Sequence, residues 1–294
     1  MNQENLNYII STDSGCDLSI EVCKENNIIP LLMHYYDEEK IFTDTMKQED
    51  LMNFYRNMIS GTMYKTTAVN IMEGYEFLKS LMKYNQPIIH ITLGSGISGT
   101  YNNMLQAKEL VLKEYPNANI TIVDSTLASL GYGMLVLEAS KLRKEGRTIN
   151  EVINYIESNK SGINPYFTTN TLTYLGRGGR VTKIASIFGN VLSIRPVLRL
   201  DNKGHLLVHA KGQGKTKTLK KVEELVSEAV INPQDQTLYI SHSLTIDDAI
   251  EYGEMLQKKI GFKNIMYSYI GSIIGSHTGP GLVAVFFHGK DRFE

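Results

Sequence analysis

The loop at residues 94–100 combines the residue types that can hold a small anion. It follows an apolar run at residues 88–93, which predicts a buried strand, and it leads into a helical pattern. The loop contains three glycines and three hydroxyl side chains: Gly94, Gly96 and Gly99, with Ser95, Ser98 and Thr100. The unpaired N–H groups and the dipole of a helix start attract negative charge. Because the loop has no lysine, it favours a carboxylate over a triphosphate.

The same glycines match the spacing of a dinucleotide-binding loop, Gly94-x-Gly96-x-x-Gly99. Asp124 follows the next predicted strand, where a ribose-binding carboxylate would lie. A nicotinamide- or flavin-dependent oxidoreductase is therefore an alternative function. Two further alternatives are a glycine-rich turn that only caps the helix, and a regulatory protein-binding module without a small ligand.

The composition of the 294-residue chain argues against several function classes. With 30 basic and 31 acidic residues the formal net charge is −1, so no broad nucleic-acid footprint is expected. No apolar run reaches the roughly 18 residues of a membrane span, and the first residues lack a secretory-signal pattern. Cys16 and Cys23 have no histidine nearby, so we expect packed, reduced thiols in a cytoplasmic protein. No residue spacing predicts a metal site or a catalytic triad.

The order of predicted elements indicates an α/β chain in two parts. In residues 1–162, apolar strands alternate with helices, which predicts a Rossmann-like parallel sheet covered on both faces. Residues 163–294 contain a predicted hairpin turn at 201–204 with further strands and helices, which is typical of an α+β domain.

Loops at the carboxyl ends of the predicted parallel strands are expected to form one ligand crevice. Asp13 and Asp124 stand at two of these ends, and we interpret them as acceptors of backbone N–H groups that shape the loops. The helix that starts near residue 130 is apolar nearly all round, and Gly131 leaves room on one side. This helix start is the candidate wall of an apolar slot.

Six short motifs occur in a definite order along the chain. They lie at residues 11–18, 98–101, 123–129, 174–180, 194–196 and 275–281, the last reading Gly-Ser-His-Thr-Gly-Pro-Gly. Together they resemble the motifs of the DegV family of bacterial fatty-acid-binding proteins, over essentially the whole chain. The resemblance implies two α/β domains with one long-chain fatty acid held between them. It also implies no cofactor and no catalysis by this chain alone.

The resemblance assigns roles to individual residues. It implies that the fatty-acid carboxylate is held by hydroxyl groups and one imidazole: Thr66, Thr67, Ser95, Ser98, His277 and Thr278. It places Gly99, Gly131 and Met134 beside the acyl tail or in the loop around it. Charge-assisted hydrogen bonds offset the cost of burying a carboxylate, so these roles agree with the chemistry of the 94–100 loop.

The resemblance also implies a protein partner, a separate kinase that converts the bound fatty acid to an acyl phosphate. Arg177, Arg180 and Gln213 are predicted to face it. Gln213 stands where the family has an arginine, and a glutamine supplies no positive charge for a developing phosphoryl group. We therefore expect weak or atypical coupling to the kinase. The family's Thr-Ser-Gln-Pro-like stretch reads Thr-Thr-Ala-Val-Asn at residues 66–70, which keeps the hydroxyl groups.

Overall fold

The computed structural model describes residues 7–177 and 194–292, whose strands form three sheets. The strands are β1 (Ile9–Asp13), β2 (Ile28–Leu31), β3 (His34–Tyr36), β4 (Ile41–Thr43), β5 (Lys65–Thr66), β6 (Ile88–Thr92), β7 (Ile120–Asp124), β8 (Ile163–Thr169), β9 (Ile194–Leu200), β10 (Leu206–Gln213), β11 (Thr237–His242), β12 (Asn264–Tyr269) and β13 (Leu282–His288). The helices are α1 (Ile20–Glu25), α2 (Gln48–Ile59), α3 (Ile71–Leu81), α4 (Thr100–Glu114), α5 (Leu130–Lys144), α6 (Ile149–Asn159), α7 (Thr173–Arg177), α8 (Gly214–Ala229), α9 (Ile246–Ile260) and α10 (Ser272–Thr278). The predicted α/β fold class is confirmed.

Four parallel strands form the first sheet, in the order β2-β1-β6-β7. Every residue of β1 and β6 is buried, as expected for apolar strands covered by helices on both faces. In this sheet Ile10 lies beside Ile89. The carboxyl ends of β1, β6 and β7 reach one edge, where they carry Asp13, the 94–100 loop and Asp124 as predicted.

Six strands form the second sheet, in the order β10-β9-β8-β13-β11-β12, in which β11 and β12 are the parallel pair. Successive side chains on β13 point to opposite faces of this sheet. One set packs with α8 and α9: Val283, Val285 and Phe287. The other set, which includes Ala284 and Phe286, joins the core of the parallel-sheet half. The second sheet therefore packs one face on its own helices and the other on the first half of the chain.

A third sheet of three short strands, in the order β4-β3-β5, is absent from the sequence-based expectation. The apolar pattern predicts one strand over residues 28–34, but the chain leaves the parallel sheet after Leu31 and starts β3 at His34. In β5, Thr66 pairs with Tyr35 of β3. Strands of two or three residues are too short to produce a readable period.

Local sequence signals explain where some helices begin and why short helices are absent from the sequence-based expectation. In α3 the Asn70 side chain accepts the N–H of Glu73, and the Glu73 carboxylate accepts the N–H of Asn70, each at 2.9 Å. Helix α6 begins with the same kind of capping box. The sequence-based expectation contains neither α7, which has only five residues, nor α10, whose second half overlaps a glycine-rich motif, and glycine is a poor helix former.

The two large sheets occupy consecutive parts of the chain. The parallel sheet ends with β7, and after α5 and α6 the second sheet starts at Ile163. The predicted division between residues 162 and 163 lies at this point, and it stays a prediction. No helix in residues 7–177 or 194–292 is long and apolar enough to cross a membrane.

Candidate ligand-binding cavity

A cavity lies between one face of the second sheet and the loops of the parallel sheet. It encloses about 890 Å³ of space that no protein atom fills, a figure that includes its opening to solvent. The second sheet contributes Pro165, Phe167, Leu200, Leu206, Ala284 and Phe286 to its walls. The opposite side contributes Met33, Leu93, Ile97, Ala128, Ile270 and Ile273. Both halves of the chain therefore build one apolar slot.

Polar side chains form one part of the lining, which we call the polar end: Thr66, Thr67, Ser98, His277 and Thr278. Thr66 Oγ1 and His277 Nε2 are 2.7 Å apart, so β5 and α10 meet here. Within the described ranges, no lysine, arginine, aspartate or glutamate lines the cavity. A carboxylate at the polar end would therefore receive hydrogen bonds from hydroxyl groups and an imidazole, and would meet no carboxylate of the protein.

Hydrogen bonds made by side chains hold the polar end together. The loop after Thr66 is tied to α4, because Asn103 Nδ2 donates to Val69 O at 2.8 Å and Val69 N donates to Thr100 Oγ1 at 3.3 Å. Ser98 Oγ accepts the N–H of Thr100 at 3.2 Å and lies 3.0 Å from Thr100 Oγ1. The Ser98 hydroxyl therefore caps the first turn of α4 and also lines the cavity.

Ser95, predicted to hold the carboxylate, is not brought to the polar end. Its Oγ donates to Asp124 Oδ2 at 2.5 Å and its N–H donates to Asp124 Oδ1 at 3.0 Å. The Asp124 carboxylate would repel a second carboxylate at this point. Thr278 does reach the polar end, but its Oγ1 donates to Ile274 O at 3.1 Å, which leaves it only as an acceptor.

The residues predicted beside the acyl tail are placed differently from one another. Gly131 stands directly behind the cavity wall, because a side-chain carbon there would lie 3.0 Å from Phe286 Cδ1. Met134 is fully buried in the core of the parallel half and does not line the cavity. Gly99 is exposed at the N-terminal cap of α4. Neither Met134 nor Gly99 is among the described residues that line the cavity, and the assignment of these residues to the acyl tail or its loop stays a prediction.

The predicted partner-facing residues fall in two places. Arg177 is exposed at the end of α7. Gln213 is exposed at the end of β10, where its Oε1 accepts a hydrogen bond from Lys217 Nζ at 3.3 Å. Arg180 lies outside the described residues. Contact of these residues with a kinase stays a prediction.

The glycine spacing that resembles a dinucleotide-binding loop has a packing explanation. A side-chain carbon on Gly96 would lie 2.4 Å from Lys203 O in the turn between β9 and β10, and one on Gly94 would lie 2.8 Å from Leu127 N. The hairpin backbone thus fills the space through which a pyrophosphate would approach Gly96. The Asp124 carboxylate already accepts hydrogen bonds from the protein, because the N–H groups of Ser95 and Thr126 each donate to it at 3.0 Å. These contacts favour a structural role for the loop glycines.

Three buried carboxyl groups, which we call the acid cluster, lie behind the cavity wall: Asp13, Asp17 and Asp44. Asp13 accepts hydrogen bonds from Tyr132 OH at 2.5 Å, Leu93 N at 2.8 Å and Gly15 N at 3.2 Å. Burial raises the pKa of Asp13 to about 6. Asp13 therefore fixes Leu93, a residue of the cavity wall, in agreement with its interpretation as a loop-shaping acceptor.

Asp17 and Asp44 were not singled out by sequence reasoning, although Asp17 lies in the motif at residues 11–18. Asp17 accepts the N–H of Gly271 at 2.9 Å and the hydroxyl of Ser129. It therefore joins the loop after β1 to the starts of α5 and α10. Burial raises the pKa of Asp17 well above its ordinary value and that of Asp44 to about 6. Gly271 directly precedes α10, so its hydrogen bond to Asp17 positions the helix that carries His277.

The described part of the chain contains no group of three or more histidine, cysteine, aspartate or glutamate side chains that could hold a metal ion. Cys16 and Cys23 are free thiols, and both are buried. Their burial agrees with the predicted packing role.

Known proteins resemble this chain over nearly its whole length. A family model described as "Uncharacterised protein, DegV family" matches residues 8–290. A DegV domain-containing protein of Clostridium perfringens is 37% identical over 286 residues, which cover 97% of this chain and 98% of that protein.

Solved structures show the same fold. A DegV family protein of Ruminococcus gnavus, refined with vaccenic acid, matches with a TM-score of 0.86 and 25% identity, covering 96% of this chain and 100% of that one. The fatty acid kinase B3 protein of Streptococcus pneumoniae, loaded with linoleic acid, matches with a TM-score of 0.83 and 17% identity, covering 97% and 100%. At that identity the second match shows the fold alone. The predicted resemblance is confirmed, and the chain belongs to the DegV family.

Proposed function

We propose that this chain is a carrier that holds one long-chain fatty acid in the cavity, with the carboxylate at the polar end. The observation that carries the proposal is the combination of an apolar slot with hydroxyl and imidazole groups in one part of its lining. Thr66 and Ser98 would donate their hydroxyl protons to the carboxylate, with His277 Nε2–H donating to Thr66 Oγ1 at 2.7 Å so that the Thr66 proton is left for the ligand. Ser95 is left out, because its hydroxyl already donates to Asp124.

The expected energetics of carboxylate binding agree with a polar end that offers hydroxyl and imidazole groups. A hydrogen bond to a charged group contributes about 1.5–3 kcal/mol, so two or three of them offset much of the cost of removing a carboxylate from water. The tail adds about 0.8 kcal/mol for each buried methylene. Affinity then comes chiefly from the tail, and the polar end selects the acid and fixes its direction.

We further propose that the carrier presents its fatty acid to a fatty acid kinase and carries out no catalysis itself. The Streptococcus pneumoniae protein of the same fold is the B3 protein of a fatty acid kinase. A carrier needs to bind and release its ligand, and the cavity supplies groups for binding. We place this carrier in the cytoplasm, where the two free thiols would stay reduced.

Native mass spectrometry of freshly purified protein tests the carrier proposal. We expect a population heavier than the bare chain by the mass of one long-chain fatty acid, and organic extraction should recover that acid. An unfolded sample of the same preparation is the control, because it should release the acid. Repeated preparations without bound lipid, and without uptake of added fatty acid, would contradict the proposal.

A further inference from the structure

We propose that Phe286, positioned by its contact with Gly131, sets the length of the acyl chain that the cavity accepts. This inference rests on the proposed function and extends it to the end of the cavity remote from the carboxylate. It assigns a specificity-determining role to a side chain that the sequence motifs did not single out.

Phe286 lies at the end of a row of side chains that leads away from the polar end. Leu282, Ala284 and Phe286 are alternate residues of β13, so they share one face, and all three line the cavity. His277 and Thr278 precede β13 in the chain, so the strand starts near the polar end and runs away from it. Four strand residues span about 13 Å, which is the distance expected between Leu282 and Phe286.

Neighbouring strands continue this boundary across the sheet. Pro165 of β8 pairs with Phe286 and lines the cavity beside it. Strands β8 and β9 are antiparallel, and Phe167 pairs with Leu198. Two residues further along β9, Leu200 therefore lies at the level of Pro165 on β8, and Leu200 also lines the cavity. Phe286 is the largest side chain of this row, and we therefore assign to its ring the limit on how far an acyl chain extends along β13.

Gly131 fixes the ring from behind. The ring atoms Cδ1 and Cε1 would lie 3.0 and 3.1 Å from a side-chain carbon at residue 131, so the ring packs directly on the first turn of α5. A methyl group at residue 131 would displace the ring by a few tenths of an ångström towards the cavity, whereas removal of the ring would lengthen the slot. Each methylene that the slot gains or loses is worth about fourfold in affinity.

Three variants separate this role from a general effect on the core. In Gly131→Ala the ring is displaced towards the cavity, and in Phe286→Leu it is removed. Phe287→Leu is the matched control, because Phe287 is equally buried on the same strand but faces the opposite core. Each delipidated variant is offered an equimolar mixture of saturated fatty acids from lauric to arachidic acid, and the retained acids are quantified by mass spectrometry. Thermal unfolding verifies that every variant is folded.

We expect Phe286→Leu to retain longer acids than the wild type, and Gly131→Ala to retain shorter ones. The ratio between acids that differ by one methylene should change by about fourfold in Phe286→Leu, and by less in Gly131→Ala, where the ring shifts by only a few tenths of an ångström. The double variant Gly131→Ala/Phe286→Leu should keep the profile of Phe286→Leu, because the methyl group then has no ring to displace, and Phe287→Leu should match the wild type. Retention with an unchanged profile in all variants would overturn this inference and leave the carrier proposal standing. A wild type that retains no acid would instead refute the carrier proposal.

Discussion

The polar end and the acid cluster behind it use hydroxyl groups in opposite ways. In the acid cluster the protein supplies the carboxyl groups, and Tyr132 and Ser129 donate to Asp13 and Asp17. The polar end presents the hydroxyl groups of Thr66 and Ser98 and the imidazole of His277. No lysine, arginine, aspartate or glutamate of the described residues lines this cavity. A hydroxyl group is available to a ligand carboxylate only where the protein has not already supplied a carboxylate of its own.

Two serines of one loop show the same difference at close range. Ser95 donates to Asp124, which the protein supplies, and Ser98 lines the cavity. The two side chains are three residues apart and chemically identical. Ser95 has a structural role because its hydroxyl donates to Asp124, whereas Ser98 lines the cavity and has a proposed binding role. Variants of the acid cluster should therefore change stability, and variants of the polar end should change ligand affinity.

The largest expected effect is on stability, from Asp13→Ala. The substitution leaves three buried donors without their acceptor, from Tyr132, Leu93 and Gly15. Each unsatisfied donor costs about 1–3 kcal/mol, so we expect the free energy of unfolding to fall by about 3 kcal/mol or more. Urea denaturation measures this loss. Asp13→Asn, which keeps an acceptor oxygen, should lose less, and equal stability of Asp13→Ala and wild type would contradict the structural role.

A second effect concerns the pH dependence of stability. Burial raises the pKa of Asp44 from an ordinary value of 3.8 to about 6 in the folded protein. The folded state therefore favours the protonated carboxyl, and this contribution to stability is complete below pH 3.8 and is lost as the pH rises towards about 6. Asp44→Asn cannot ionise, so its stability relative to the wild type should increase across that window.

Urea denaturation at a series of pH values measures this difference for Asp44. The comparison with the wild type cancels the titration of the exposed acids, which both proteins share. Relative to the wild type, the variant should gain a few kcal/mol between the two ends of the window. A difference that stays constant with pH would contradict the raised pKa.

The smallest expected effect is on coupling to a kinase. We expect Gln213→Arg to speed acyl-phosphate formation by about tenfold or less, because an arginine adds a planar, charged donor group. Gln213→Met, which is uncharged and of similar length, is the control. The measurement is a coupled assay with a fatty acid kinase at matched lipid loading. An unchanged rate in Gln213→Arg would show that this position is not the missing contact.

The regular parts of the fold could be predicted because their patterns are long. The apolar strands β1, β6 and β7 and the helices between them give clear periods, and the hairpin turn at residues 201–204 has a distinct turn composition. The short strands of the third sheet and the seven-residue helix α10 give no such period. Their structure is set by tertiary pairing, such as that of Thr66 with Tyr35.

The candidate site could be predicted only to the level of its loops. Residue types identified the loop of Ser95 and Ser98, but the choice between the two depends on Asp124, which is distant in sequence. Likewise, a buried Met134 and a wall-forming Phe286 are both apolar residues in apolar segments. Which face of an element meets the cavity is decided by packing between the two halves of the chain.

The central claim is that the polar end reads a carboxylate, and calorimetry with palmitic acid and its methyl ester tests it most directly. The delipidated wild type should favour the acid over the ester by about 1.5–3 kcal/mol, since the ester carries no charge. Ser98→Ala and His277→Ala should each reduce this preference, whereas Ser95→Ala should keep it. Equal affinity of the wild type for acid and ester, or an equal loss in Ser95→Ala and Ser98→Ala, would contradict the account.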